Sequence, residues 1–274
     1  MIDKLKAFQA RKSLGQNFLF DQNIARKIVA AFEPDAGEWV LEIGPGFGIL
    51  TQYLLSYPCN YIGIEIDERL VEELKQKFSG QPNFHLIHGD FRSLDLARLQ
   101  AEKEISAKFR IVGNIPYHIT SSIIFAAFRQ YALVQDMLLM VQREVAERIT
   151  ARPGSKNYSI LSVLSQAMST PRVLFHVSKK VFIPQPDVAS SVVHWDFSHS
   201  RIDSIRSPEF FIAMVKKLFS QRRKTLRNSL KQLADPEDIA RLDPVSLRKR
   251  IEAFSVEEMI ELANFLFEQQ KAKA

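Results

Sequence analysis

Between residues 38 and 142, short apolar runs alternate with amphipathic stretches. Trp39-Val-Leu-Glu-Ile43, Tyr61-Ile-Gly-Ile-Glu-Ile66, Asn83-Phe-His-Leu-Ile87, Phe109-Arg-Ile-Val112 and Asp136-Met-Leu-Leu-Met-Val141 predict five buried strands. Asp67 to Phe78 opens on an acidic cap and spaces Leu70, Val71, Leu74 and Phe78 along one helical face. Such β-α alternation predicts an α/β fold with a mostly parallel, doubly wound, Rossmann-like sheet. Two further helical stretches, about 143–151 and 158–169, lead to the β-rich runs Arg172–Val177 and Ser190–Phe197. A Pro-containing loop joins these runs, which places them as an antiparallel hairpin added at one sheet edge. Ser207-Pro208 reads as a helix cap followed by proline at the first helical position, and only helical periodicity follows. The expected division is therefore an α/β domain over 1–204 and a small all-α domain over 205–274.

Composition narrows the class. Of the 274 residues, 46% are hydrophobic and 25% charged, which excludes a mainly disordered chain. Charge, proline or glycine interrupts every long apolar run, so no membrane span is expected. Met1–Ala10 holds two lysines without an apolar core, so no secretory signal is expected. The single cysteine, Cys59, cannot close an intrachain disulfide and is expected to be a buried filler, in keeping with a reducing cytoplasm. A net charge of +6 points to an acidic partner. From residue 200 onward, 15 Lys and Arg face 11 Asp and Glu, so most of the excess lies there. It is concentrated in Lys216, Lys217, Arg222, Arg223, Lys224, Arg227 and Lys231, a run without acids. A solvated helix face and a nucleic-acid surface would both look like this.

Glu42-Ile-Gly44-Pro-Gly46-Phe-Gly48 follows the first strand and opens a helix. Glycines there let the backbone turn sharply and let a ligand approach the helix N-terminus. A dinucleotide fingerprint would need a small residue at position 49, which is Ile49. The acid two residues before the glycines would repel a pyrophosphate but suits the ammonium of a methionine moiety. Glu65 lies 21 residues beyond Gly44, the spacing at which a carboxylate meets ribose hydroxyls. Asp90 ends the third strand, where it could accept from an adenine amine. Each acid could instead cap a helix. Together with Gly44 and Gly46, they favour S-adenosylmethionine as the co-substrate.

Asn114-Ile115-Pro116-Tyr117 leaves the fourth strand at the carboxyl edge of the sheet, where open α/β sheets bind ligands. Asn and Pro also suit a plain tight turn. The chemical reading is specific. An adenine amine is a poor nucleophile because its lone pair is delocalised into the ring. Two acceptors holding its N–H groups out of the ring plane turn that lone pair toward an electrophile. Asn114 offers its amide oxygen and Ile115 its backbone carbonyl, while Pro116 stiffens the turn. Tyr117 offers a stacking face for a flipped base, and Phe182 is the candidate for the opposite face. No strong base is needed, because the methylated ammonium loses its proton readily. His85, His88 and His118 lack a defensible ligand spacing, so no metal is expected.

Taken in order, Leu14 to Leu19, Glu42 to Gly48, Glu65 to Asp67, Gly89-Asp90, Asn114 to Tyr117, Phe182 to Ser190 and Gln221 to Leu226 resemble the KsgA/RsmA family. These are small-subunit ribosomal RNA adenine dimethyltransferases with a class I methyltransferase fold. The resemblance covers nearly the whole chain. It implies that Asn17 and Leu19 help cover the co-substrate, with Gly44, Glu65, Asp90 and Asn114 as further contacts. It implies dimethylation at N6 of two adjacent adenines in a hairpin near the 3′ end of 16S rRNA, on an assembling 30S particle, by a cytoplasmic monomer. A basic helix from Lys216 would then contact rRNA phosphates. The alternatives are a large-subunit rRNA methyltransferase of the erythromycin-resistance type and a non-catalytic assembly factor on the same fold.

Overall fold

All five apolar runs fold as strands; four of them are largely buried on both faces of the sheet, while Phe84–His88 lies at its edge and is only partly covered. In chain order the strands are β1 (Phe18–Leu19), β2 (Trp39–Ile43), β3 (Asn60–Glu65), β4 (Phe84–His88), β5 (Phe109–Asn114), β6 (Val134–Gln142), β7 (Thr170–Val177), β8 (Phe182–Ile183) and β9 (Ser190–Asp196). The computed structural model describes residues 5, 7, 8, 11 and 14–273. Most of Met1–Ala10, the segment expected to lack a signal sequence, lies outside them.

The main sheet has the order β4-β3-β2-β5-β6-β9-β7. Strands β2 to β6 pair in parallel, and β9 runs antiparallel to β6 from Gln142↔Ser190 to Asp136↔Asp196. The chain moves outward from β2 through β3 to β4, then returns to the other side of β2 with β5. The switch point therefore falls between β2 and β5, where Ile43 lies opposite Gly113. Gly113 permits that closeness, since a Cβ there would meet the Ile43 carbonyl oxygen at 2.7 Å. The edge pair expected from sequence is present as β9 and β7, but its connection is more than a loop. Within it, β8 pairs antiparallel with β1, Phe18 opposite Ile183 and Leu19 opposite Phe182.

The helix Glu68–Phe78 buries Leu70, Val71, Leu74 and Phe78, and Asp67 caps it by accepting from the Arg69 N–H. At the end of the sheet away from the carboxyl edge, Arg110 bridges Asp136 and Glu38, and its guanidinium also donates to the carbonyls of Phe32 and Glu33. His194 meets Asp136 from β9. Cys59 is buried, as expected of a filler.

The chain divides into two compact units, one of residues 1–146 and 172–197, the other of residues 147–171 and 198–274. The expected single boundary near 205 differs from this by leaving 147–171 with the sheet. Those residues cluster with the helical unit because Ile160–Met168 buries its apolar face against Pro208–Ser220 and Val256–Lys273. Ser207 caps Pro208–Ser220 with proline at the first position, as the sequence predicts. Among the described residues no helix is long and apolar enough to cross a membrane.

Candidate active site

The carboxyl ends of β2, β3, β4 and β5 surround one cavity of about 230 Å³. The turn after β2 holds Gly44 at φ +65° and Gly46 at φ +61°, a left-handed backbone that a side chain would strain. A Cβ on Gly46 would also press on the Phe18 ring at 3.3 Å. The glycines thus leave the cavity wall bare.

Two buried carboxylates stand beside this turn, and Glu65 braces it. Glu65, at the end of β3, is 4% exposed. Its Oε2 accepts from the Gly46 N–H at 3.0 Å, and its Oε1 accepts from the N–H groups of Ile66 and Asp67 at 2.9 and 3.0 Å. Burial pushes its pKa up, and these three donors oppose the shift. Glu65 therefore does structural work as well as lining the cavity. Glu42 is 1% exposed, and its Oε2 accepts from the hydroxyls of Thr51 and Tyr61, both at 2.7 Å. Burial pushes its pKa up to about 7. In the sequence this acid stands out only for its charge. Its role as the centre of a buried hydroxyl cluster is invisible there, because Thr51 and Tyr61 reach it from other elements.

Asp90 accepts from the Arg92 N–H at 2.9 Å and so caps the short turn Phe91–Ser93. Its carboxylate also pairs with the Arg92 guanidinium, which holds its pKa below the usual range. The capping alternative and a position on the cavity wall are both realised, and Arg92 joins the wall unforeseen.

Asn114 ends β5 on the opposite wall. Its Nδ2 donates to the Asn17 carbonyl at 3.2 Å, and the Asn17 side chain donates to the Gly15 carbonyl. Residues 14–19 run along the cavity as a strap that β1–β8 pairing and packing of Phe18 against Phe47 hold in place. Gly15 lies so near His118 that a Cβ would meet the ring Nδ1 at 2.5 Å. Asn17, Leu19, Gly44, Gly46, Glu65, Asp90, Asn114 and Pro116 thus share one cavity, as the sequence grouped them.

Three expected residues lie off that wall. Ile115 has a buried side chain. Tyr117 is half-buried, with its hydroxyl 2.5 Å from Ser190 Oγ, which fixes its ring. Phe182 is a core residue. Its ring is 2% exposed, in the same buried cluster as Leu19, Ile28, Val177 and Val192, and lies off the cavity wall where the sequence reading expected it. Its backbone pairs with Leu19 and holds the strap.

The basic run also differs from expectation. Pro208–Ser220 ends before Gln221, and a new helix begins only at Leu226, so Lys216–Lys231 is two helices and a turn. Arg222 pairs with Glu252 and donates to the Lys156 carbonyl, so an acid absent from the linear run is supplied by the fold. Lys216, Lys217, Arg223, Lys224 and Arg227 are exposed. Among the described residues, no cluster of three or more His, Cys, Asp or Glu could hold a metal ion.

Comparisons with known proteins agree with this geometry. Residues 7–268 match the family model described as ribosomal RNA adenine dimethylase. The chain is 36% identical over 265 residues to ribosomal RNA small subunit methyltransferase A of Alkaliphilus oremlandii, covering 94% of this chain and 92% of that one. A dimethyladenosine transferase from Plasmodium falciparum superposes with a TM-score of 0.76 at 25% identity, covering 93% of this chain and 98% of that one. The 23S rRNA methyltransferase ErmE superposes with a TM-score of 0.67 at 25% identity, covering 92% and 100%. With a switch-point cavity walled by Gly44, Glu65, Asp90 and Asn114, and a match that spans both units, the chain belongs to the ribosomal RNA adenine dimethylase family.

Proposed function

We propose that this protein transfers methyl groups from S-adenosylmethionine to N6 of two adjacent adenines in a hairpin near the 3′ end of 16S rRNA, during assembly of the small subunit. The observation that carries the reading is the Asn114 amide, whose nitrogen donates to the Asn17 carbonyl and whose oxygen has no partner among the described residues, so it would be the atom to accept from a substrate amine. The relatives' names support the small-subunit target over the large-subunit one.

The cavity fits the co-substrate. Gly44 and Gly46 leave room for its amino-acid end beside Glu42, Glu65 would meet the ribose through the lone pairs its three amide donors leave, and Asp90 would accept from the adenine amine. S-adenosylmethionine supplies an electrophilic methyl on a sulfonium. The protein's own part is positioning. Asn114 Oδ1 and the Ile115 carbonyl hold the two N–H groups of the target amine and turn its lone pair out of conjugation. Tyr117, fixed by Ser190, provides the stacking face. The strap over residues 14–19 keeps water from the reacting centre. After transfer the ammonium proton leaves to solvent, so no metal and no dedicated base is required.

The exposed cations Lys216, Lys217, Arg223, Lys224 and Arg227 serve as phosphate contacts, which give affinity without reading sequence. Arg222 belongs to the fold of its unit first. The protein acts as a cytoplasmic monomer on the assembling 30S particle.

The decisive test uses small subunits from cells lacking this protein, incubated with it and labelled S-adenosylmethionine. Nucleoside mass analysis should give N6,N6-dimethyladenosine at two adjacent positions. Label that stops at one methyl, or appears only in large subunits, refutes the assignment.

A further inference from the structure

Asn114 can serve as an acceptor only if its amide faces the right way, and nothing in the residue itself chooses. The two ends of the amide are nearly isosteric, yet one donates and the other accepts. Facing the substrate with its NH2 group, Asn114 would repel the very N–H groups it must hold. Asn17 breaks the tie, because its backbone carbonyl, an acceptor only, sits 3.2 Å from Asn114 Nδ2. A flipped amide would place two oxygens against each other and lose the hydrogen bond.

That carbonyl is itself held from several sides. Asn17 Nδ2 turns back onto the Gly15 carbonyl, and Gln16 Nε2 donates to Asp67 at 3.0 Å. The next two residues pair with Phe182 and Ile183, and the Phe20 N–H donates to the Val181 carbonyl at 3.0 Å. Leu19 and Phe182 are each 2% exposed, so the strap is anchored in the core.

We propose that the strap is a positioning element for methyl transfer, in which the Asn17 backbone carbonyl sets the amide orientation of Asn114 and so makes Oδ1 the acceptor. This rests on the reading of Asn114 as the amine acceptor given above. It differs from a covering role for residues 14–19, because a cover needs only bulk, whereas this needs an acceptor at one atom.

Asn114→Asp separates the two. A carboxylate at 114 would put a second oxygen against the Asn17 carbonyl, whereas a protonated carboxyl can donate there and still accept from the amine. Transfer by the variant should therefore rise relative to wild type as pH falls. Above the carboxyl's own pKa, the rise should be about tenfold per pH unit. Glu42, Glu65, Asp90, Arg92 and His118 line the same cavity, and taking the ratio to wild type at each pH cancels their titration. Calorimetric binding of S-adenosylmethionine at each pH verifies that the variant is folded. Asn114→Ala serves as the separate test of the underlying reading. If it transfers normally, Asn114 is not the acceptor and both statements fall. If it loses transfer while Asn114→Asp shows a flat ratio, one rising with pH, or no transfer at any pH, only the orienting role of Asn17 is overturned. An independent measurement needs no substitution. In asparagine-selective 15N spectra of the wild type, the Asn114 side-chain amide should show one slowly exchanging proton, and rapid exchange of both would also overturn the proposal.

Discussion

At the scale of single residues, Glu42 carries the sharpest physical consequence. It is buried at the end of β2, held by two hydroxyls, with its pKa pushed from 4.5 up to about 7. A raised carboxyl means that the folded protein holds a proton that the unfolded chain has released. Between pH 4.5 and 7 the folded state binds more protons, so stability falls as pH rises through that window and then levels off. The whole effect is of order 3 kcal/mol at most. Glu42→Gln, which keeps the shape and stays neutral, should flatten this dependence and raise the melting temperature at pH 8. Thermal melts of both proteins at pH 5, 6, 7 and 8 check it, and parallel curves would mean that Glu42 stays ionised.

At the scale of elements, the β1–β8 pair and the basic segment both changed meaning on folding. Phe182→Ala removes a core ring and should cost about 3–5 kcal/mol in denaturant titrations. If the anchoring of the strap matters, transfer under conditions where the variant is still folded should fall further than co-substrate affinity does. In the helical unit, Arg222→Ala leaves Glu252 without its guanidinium partner and should lower the melting temperature. Reversing the charge of Arg223, Lys224 and Arg227, all exposed, should leave melting nearly unchanged and weaken subunit binding. The plot of log affinity against log salt should flatten by about one unit for each phosphate that the protein no longer neutralises. An unchanged slope would move the RNA surface elsewhere.

At the scale of the whole molecule, the helical unit draws on two stretches of chain. Ending the protein after residue 204 would leave Leu161, Val163, Leu164, Ala167 and Met168 without Pro208–Ser220, against which that helix packs. A chain of 1–204 should therefore aggregate or expose apolar surface, measurable by light scattering and dye binding. A fragment of 205–274 should in turn show much less helix by circular dichroism than the intact protein contributes from those residues. Well-folded fragments would contradict the division at 147–171 and 198.

The five parallel strands, the capped helix after Asp67, the glycine turn and the end of β5 were all legible along the chain, since each depends on local periodicity, turn chemistry and capping. Grouping Gly44, Glu65, Asp90 and Asn114 in one site followed as well. In a parallel sheet every strand delivers its carboxyl end to the same edge. What depended on residues distant in sequence was not legible. Two-residue strands such as β1 and β8 have no period to detect, so the strap and the burial of Phe182 emerged only in three dimensions. A linear run of cations cannot reveal that Glu252 approaches one of them. An Asn in a turn motif is recognisably a polar group at the right place. That its amide nitrogen meets a backbone carbonyl 97 residues away is visible only in the folded chain.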